Sequence, residues 1–217
     1  MNKIQILKST EVFVKESLKN AEGGHDWFHI KRVYKNAKLI SQHEKADNFI
    51  VEIGALLHDI ADSKFHNGNE TLGPKVASNF LHKLKVSPEV INQVVKIIEN
   101  VSFKGGNITQ KFNSIELQII QDADRLDAMG AIGIARTFNY GGYKGRSLYN
   151  PDIAPNLNMS KEQYKTSDSP TINHFYEKLL LLKNQMNTKT GHEIAKKRHE
   201  FMLLYLEQFY AEWNGRV

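Results

Sequence analysis

An almost continuous apolar run that leads directly into two ionisable residues is the feature that most limits how this chain can fold. Residues 49–61 read FIVEIGALLHDIA, and Asp47 is placed to cap the start of a helix there. A helix that is apolar on nearly every face is buried inside its domain. We therefore expect this segment to be a central helix that other elements surround.

The rest of the chain is also typical of helices. Apolar residues recur three to four positions apart in most segments, Ser87-Pro88 marks one helix start, and a long helix is predicted over 192–213. No stretch alternates with period two for long enough to indicate a sheet. The sequence predicts an all-α fold in a single domain over 1–217, with C-terminal helices in 170–214.

One segment departs from the helical pattern. Residues 137–170 contain glycine-rich turns and prolines, and loops of this length in a compact domain are usually lids, binding loops or surface excursions. The segment also offers aromatic faces and cations suited to stacking on a base and pairing with phosphate: Tyr140, Tyr143, Lys144 and Arg146. We predict a loop over 137–169 that acts as a lid, with a surface excursion as the alternative.

Composition excludes several classes of protein. The chain has no cysteine, so disulfides, thiolate nucleophiles and iron–sulfur clusters are excluded. No apolar run approaches the ~20 residues of a membrane span, and the charged N-terminus lacks the apolar core of a signal peptide. These features predict a cytoplasmic protein that does not associate with membranes.

The charge balance indicates an anionic partner. The chain has 29 Lys+Arg against 24 Asp+Glu, a net charge of +5 and a pI near 9.2. Such an excess suits phosphorylated small molecules or nucleic acid. The densest basic cluster, Lys196-Lys197-Arg198, is interpreted as a solvated helix face, so nucleic-acid binding is the less favoured alternative.

Three stretches place ionisable groups where a core is expected. His29 borders the apolar stripe of its helix, His58-Asp59 ends the central apolar helix, and Asp124 takes a stripe position that an apolar residue would fill. An unpaired buried charge costs several kcal/mol or neutralises itself. The stretches are GHDWFHIKRV (24–33), LLHDIAD (56–62) and QDADRLD (121–127).

Each stretch alone has a simpler explanation, such as a hydrogen-bonded core histidine or a capping aspartate. Neighbouring helical residues also point about 100° apart, so His58 and Asp59 do not share one helix face. The combination of two imidazoles and two carboxylates on three helices nevertheless favours one divalent cation. Such ligands suit Mn, Mg, Ni, Co, Fe or Zn without choosing among them. The remaining histidines show no matching context, so one metal is predicted.

At these residues the chain resembles the HD-domain metal-dependent phosphohydrolases. That family places a histidine, an adjacent His-Asp pair and a later aspartate on different helices, which corresponds here to His29, His58, Asp59 and Asp124. The segments GHDWFHIKRV, LLHDIAD and QDADRLDAMGAIGIAR are similar to small standalone bacterial members, some of which act on nucleoside triphosphates. The motifs cover about residues 24–136.

The resemblance implies further roles. Asp62, three positions after Asp59, corresponds to a general acid/base, and Arg125, directly after the last metal ligand, to a phosphate contact. A solvent-exposed carboxylate for Asp62 and an ion pair of Arg125 with Asp122 are the alternatives. Independently of the resemblance, Arg32 and Lys64 are candidate substrate contacts because they lie near the metal residues in sequence. The loop composition adds Tyr143, Lys144 and Arg146.

The predicted function is metal-dependent hydrolysis of a phosphoester or phosphoanhydride, with a nucleoside monophosphate, a nucleoside triphosphate or an alarmone as the substrate. The first alternative is a nucleotide- or metal-sensing protein that keeps the site without turnover. The second is a basic nucleic-acid-binding helical module.

Overall fold

The computed structural model describes residues 1–19, 21, 26–61, 69, 71–101, 112–159, 163 and 167–217. Every regular element in these ranges is helical, as the sequence predicts. The chain divides into two compact units, Met1–Asp124 and Arg125–Val217. The helices are α1 (Lys3–Ser17), α2 (Trp27–Ser41), α3 (Asn48–Leu57), α4 (Leu72–Lys83), α5 (Pro88–Val101), α6 (Ile115–Asp127), α7 (Gly130–Tyr143), α8 (Asn173–Glu177), a 3₁₀ helix (Leu179–Gln185) and α9 (Lys189–Trp213).

Helix α3 forms the core of the first unit, which confirms the central helix predicted from its apolar run. Val51, Ile53, Leu56 and Leu57 are fully buried, and α3 packs against α1, α2 and α5. Burying each such side chain contributes roughly 1.5–3 kcal/mol. The end of this helix is therefore held rigidly in the interior.

The start of α3 is tied both to its own first turn and to α6. Oδ1 of Asp47 accepts hydrogen bonds from the backbone N–H groups of Phe49 at 2.8 Å and Ile50 at 3.4 Å, which confirms the predicted cap. The backbone N–H of Asp47 donates to Oε1 of Glu116 at 3.0 Å. This bond links α3 to the first turn of α6.

A polar contact joins α2 to α3. The hydroxyl of Tyr34 donates to the carboxylate of Glu52, and Nζ of Lys38 lies 3.5 Å from Oε2 of the same carboxylate. Burial, followed by the hydrogen bond to Glu52, raises the pKa of Tyr34 well above its usual value. The contact connects the helix that carries His29 with the helix that precedes His58.

In the second unit, one face of α9 packs against α7 and the 3₁₀ helix. The buried residues of that face are Gly191, Ala195, Met202 and Leu206. Arg198 turns inward, because its guanidinium donates to the carbonyl of Leu126. The solvated-face interpretation of the basic cluster is therefore wrong for Arg198, and only Lys196 and Lys197 are exposed there.

The predicted loop begins later than its composition indicates. Helix α7 continues to Tyr143, so the loop prediction is wrong for residues 137–143. The physical reason is a close contact at Gly141, where an added Cβ would lie 2.3 Å from Oγ1 of Thr171. The glycine serves helix packing rather than a turn. The described residues 144–159 contain turns and bends without a helix.

No helix in the described ranges combines the length and the apolar character that crossing a membrane requires.

Candidate metal centre

The structure brings His29, His58 and Asp59 together in the first unit. One ligand atom from each residue lies within 4.8 Å of the other two, and the two imidazole centroids are 5.4 Å apart. The exposed fraction is 1% for His29 and 5% for His58. Two buried imidazoles and a partly buried carboxylate thus lie close enough together to bind one ion.

Asp124 lies next to this cluster, and its measured contact is with His29. Nε2 of His29 lies 3.6 Å from Oδ1 of Asp124 and 3.8 Å from Oδ2 of Asp59. These separations are longer than hydrogen bonds. Ligands placed ~2.1–2.2 Å from a shared cation are ~3.0–3.6 Å apart in octahedral or tetrahedral geometry. The spacing is therefore close to that of residues coordinating one ion.

The two carboxylates differ in their access to solvent. The side chain of Asp59 is 12% exposed, whereas that of Asp124 is 42% exposed. The helical stripe predicts a buried position for Asp124, but the residue sits in the last turn of α6, and it is not part of the 4.8 Å group. The cluster is shielded around His29, His58 and Asp59 and open at Asp124.

The tautomer of His58 follows from its local hydrogen bond. Nδ1 lies 2.8 Å from the carbonyl oxygen of Ala55. Because a carbonyl only accepts hydrogen bonds, Nδ1 carries a proton, and in the neutral imidazole Nε2 then has the lone pair. Nε2 is buried, and no group in the described part of the chain hydrogen-bonds to it.

An unsatisfied buried nitrogen costs ~1–3 kcal/mol, and a coordinated cation would remove that cost. A histidine that donates one ring N–H to a carbonyl presents the other nitrogen in the form that binds metal. The residues present therefore fit the divalent cation implied by the resemblance.

His58 and Asp59 would point in different directions within a regular helix, but both residues follow the end of α3. Helix α3 stops at Leu57, and His58 to Ala61 form a turn. The backbone N–H of Ile60 donates to the carbonyl of Leu57 at 3.2 Å, a tighter pattern than that of the α-helix. The two neighbouring side chains thus reach a common point from a helix terminus.

The backbone at His29 is held by a residue that sequence reasoning missed. Oδ1 of Asp26 accepts a hydrogen bond from the backbone N–H of His29 at 2.9 Å and caps α2. The signal was present in the sequence, because an aspartate directly before a helical stripe is a cap signature. Asp26 thus fixes the turn that carries a candidate ligand.

For several predicted site residues, no contact with the metal-ligand cluster is seen in the described part of the chain. Asp62 and Lys64 lie outside the described residues. Arg32 follows His29 by one turn on α2 and is half-buried. Nη1 of Arg125 donates to the carbonyl of Gln185 at 2.8 Å. The catalytic role of Asp62 and the substrate contacts of the basic residues remain predictions.

The predicted lid residues contact one another. Nζ of Lys144 lies 5.4 Å from the ring centroid of Tyr143 and 5.7 Å from that of Tyr140. The guanidinium carbon of Arg146 lies 5.7 Å from the Tyr140 ring, and Arg146 donates to the carbonyl of Ser167. Tyr143 is 70% exposed. These residues form an aromatic–cation cluster, and its role as a lid remains a prediction.

Known proteins are similar to this chain over the motif region and over its whole length. The model of the HD domain family matches residues 27–129, which include all four candidate ligands. An HD-superfamily hydrolase from Bacillus thuringiensis is 45% identical, with a TM-score of 0.80 over 98% of this chain and 99% of that chain.

YpgQ of Bacillus subtilis is 37% identical over 99% of this chain and 97% of its own length. A crystal structure of YpgQ in complex with ADP gives a TM-score of 0.78 at 36% identity, over 98% of this chain and 97% of that chain.

Proposed function

Because the chain belongs to the HD-domain family and is a metal-dependent hydrolase, we propose that it cleaves a phosphoester or phosphoanhydride bond in a nucleotide. The observation that carries the proposal is the convergence of His29, His58 and Asp59, with Asp124 beside them. The ADP complex of YpgQ and the net charge of +5 support an anionic nucleotide as the substrate.

The four residues would hold one divalent cation. When bound, such a cation lowers the pKa of a coordinated water and polarises a phosphoryl oxygen. The hydrogen bond from Nδ1 of His58 to Ala55 keeps the Nε2 lone pair directed away from that carbonyl. Because Asp124 is the most exposed of the four residues, water and substrate would reach the site from its side.

Proton transfer is assigned to Asp62, the residue that the resemblance marks as a general acid/base. A carboxylate three positions after Asp59 would accept a proton from the attacking water. Arg32, Lys64 and Arg125 are proposed to neutralise phosphate charge, and Tyr143, Lys144 and Arg146 are proposed to contact substrate. Neutralising charge on the phosphoryl oxygens is the main catalytic contribution in phosphoryl transfer.

A nucleotide screen with product analysis tests this function. The metal-free protein is loaded with Mn²⁺, Mg²⁺, Co²⁺, Ni²⁺, Fe²⁺ or Zn²⁺ and incubated with ATP, dATP, ADP or AMP. Phosphorus NMR separates pyrophosphate from orthophosphate, so it identifies the bond that is cleaved. We expect metal-dependent release of one of these products.

Two pairs of variants provide the controls. His58→Gln and Asp124→Ala should abolish turnover, whereas the exposed His82→Gln and Glu207→Gln should leave it unchanged. Metal binding without hydrolysis of any nucleotide would favour the sensing protein over the enzyme. Equal turnover in all four variants would exclude the proposed metal centre.

A further inference from the structure

The backbone carbonyl directly before Asp124 is contacted by a side chain from another helix. Nδ2 of Asn36, on α2, donates to the carbonyl oxygen of Ala123, on α6, at 3.2 Å. Asn36 follows His29 by seven residues, so both lie on the same face of α2 two turns apart. This face of α2 therefore contacts the end of α6 twice, through Asn36 at Ala123 and through His29 at Asp124.

This hydrogen bond is not needed to complete α6. Ala123 lies inside the helix, where the regular ladder pairs its carbonyl with the N–H four residues later. In such a ladder the amide of Asn36 is an additional donor to an oxygen that the helix itself can satisfy. Its effect is therefore to link two helices rather than to satisfy a helix end.

Helix α2 packs more extensively against α3 than against any other helix. The hydrogen bond from Asn36 matters because it joins α2 to α6 as well. Towards α6, α2 presents Asn36 to the carbonyl of Ala123 and His29 to the carboxylate of Asp124. A sliding or rotation of α6 against α2 would separate Nε2 of His29 from Oδ1 of Asp124. The contact from Asn36 opposes that displacement at the residue adjacent to Asp124.

We propose that Asn36 is a positioning residue for the metal centre. Its amide holds α6 in the register that places Asp124 beside His29, and thereby raises the affinity of the site for a divalent cation. The inference rests on the proposed metal centre. Partners that orient metal ligands typically contribute 10–100-fold in affinity.

The test compares Mn²⁺ affinity in the metal-free full-length protein by calorimetric titration. Asn36→Leu removes the donor and keeps a similar volume, so we expect its Kd for Mn²⁺ to rise about 10-fold or more. Asn36→Gln keeps an amide donor and should restore most of the affinity. Hydrolysis by the leucine variant should recover at high Mn²⁺ concentration, because the defect is in affinity.

Asn100→Leu is the matched control. Asn100 is also half-buried in the first unit, and its Nδ2 donates to the carbonyl of Lys96 at 2.8 Å, but within one helix. We expect this variant to bind Mn²⁺ like the wild type. If Asn36→Leu does not fold, Asn36→Ser replaces it, because the shorter side chain does not span the contact.

A double-variant cycle shows whether Asn36 acts through Asp124. In an Asp124→Ala background, Asn36→Leu should produce no further rise in Kd, because the ligand that it positions is absent. Additive effects, or unchanged affinity in Asn36→Leu, would overturn the positioning role. Unchanged affinity in His58→Gln would instead overturn the metal centre itself, so the two failures are distinguishable.

Discussion

Gly54 of α3 lies directly against Ile120 of α6. A Cβ built on Gly54 would be 2.6 Å from Cδ1 of Ile120, closer than carbon atoms normally approach. Gly54 precedes His58 by four residues, and Ile120 precedes Asp124 by four. The absence of a side chain at residue 54 thus allows the two helices to approach one turn before their candidate ligands.

Gly54→Ala should lower both stability and metal affinity. The end of Ile120 must move, and overpacking of a core typically costs ~1–3 kcal/mol. Urea unfolding of the metal-free protein measures the first effect, and Mn²⁺ titration measures the second. Gly142→Ala is the control, because an added Cβ meets nothing within 4 Å in α7 and should stabilise the helix by ~0.5–1 kcal/mol. Unchanged stability and affinity in Gly54→Ala would show that the approach of α3 to α6 is not limiting.

Removal of the metal should lower the melting temperature of the wild type. A ligand that binds only the folded state at 100 times its Kd stabilises it by ~2.7 kcal/mol. Differential scanning calorimetry with and without chelator measures the shift. The shift should disappear in His58→Gln and persist in His82→Gln, which alters an exposed histidine of α4. An equal shift in all three proteins would place the stabilising ion elsewhere.

Tyr34→Phe should reduce the loss of folding stability that occurs as the pH rises above ~10. Burial and the hydrogen bond to Glu52 raise the pKa of folded Tyr34 above that of the unfolded chain. Its contribution is therefore complete below the unfolded pKa of ~10 and is lost as the pH rises through and beyond that value. The measurement is urea unfolding at pH 8 and pH 11. Parallel losses in wild type and variant would exclude Tyr34 as a source of this dependence.

His174→Gln should make the protein less sensitive to acid. Burial, with smaller effects from Lys178 and Arg146, lowers the pKa of His174 to about 3. Because the folded pKa is below the unfolded value of ~6.5, the stability contribution is complete above that pH and decreases as the pH falls towards 3. The slope approaches ~1.4 kcal/mol per pH unit for one proton. Urea unfolding at pH 7.5 and pH 5 should show a smaller loss in the variant, and an identical loss would contradict the assignment.

Helix positions were predictable because their signals are local. The cap at Asp47, the proline start at Pro88 and the apolar run of α3 each depend on residues within a few positions of one another. The prediction was wrong for 137–143 because Gly141 looks like a turn residue until its contact with Thr171 is known. Similarly, Arg198 looks solvated until Leu126 is placed beside it.

The sequence by itself determined which side chains share each helix face and which of these faces carry ionisable groups. Helical periodicity is a property of neighbouring residues, so His29, His58, Asp59 and Asp124 stand out without any coordinates. The ring nitrogen that His58 keeps unprotonated was decided by the structure, through the position of the Ala55 carbonyl. Periodicity predicts only the direction in which a side chain points from the helix axis. The hydrogen bond from His58 to Ala55 depends on the exact positions of atoms at the end of α3.

Only the tertiary structure decided how the helices meet. The contrast in exposure between Asp59 and Asp124, the link from Asn36 to α6 and the fit of Gly54 on Ile120 all depend on packing between segments far apart in the chain. No local pattern encodes these separations, because they result from side chains of several helices filling one interior together.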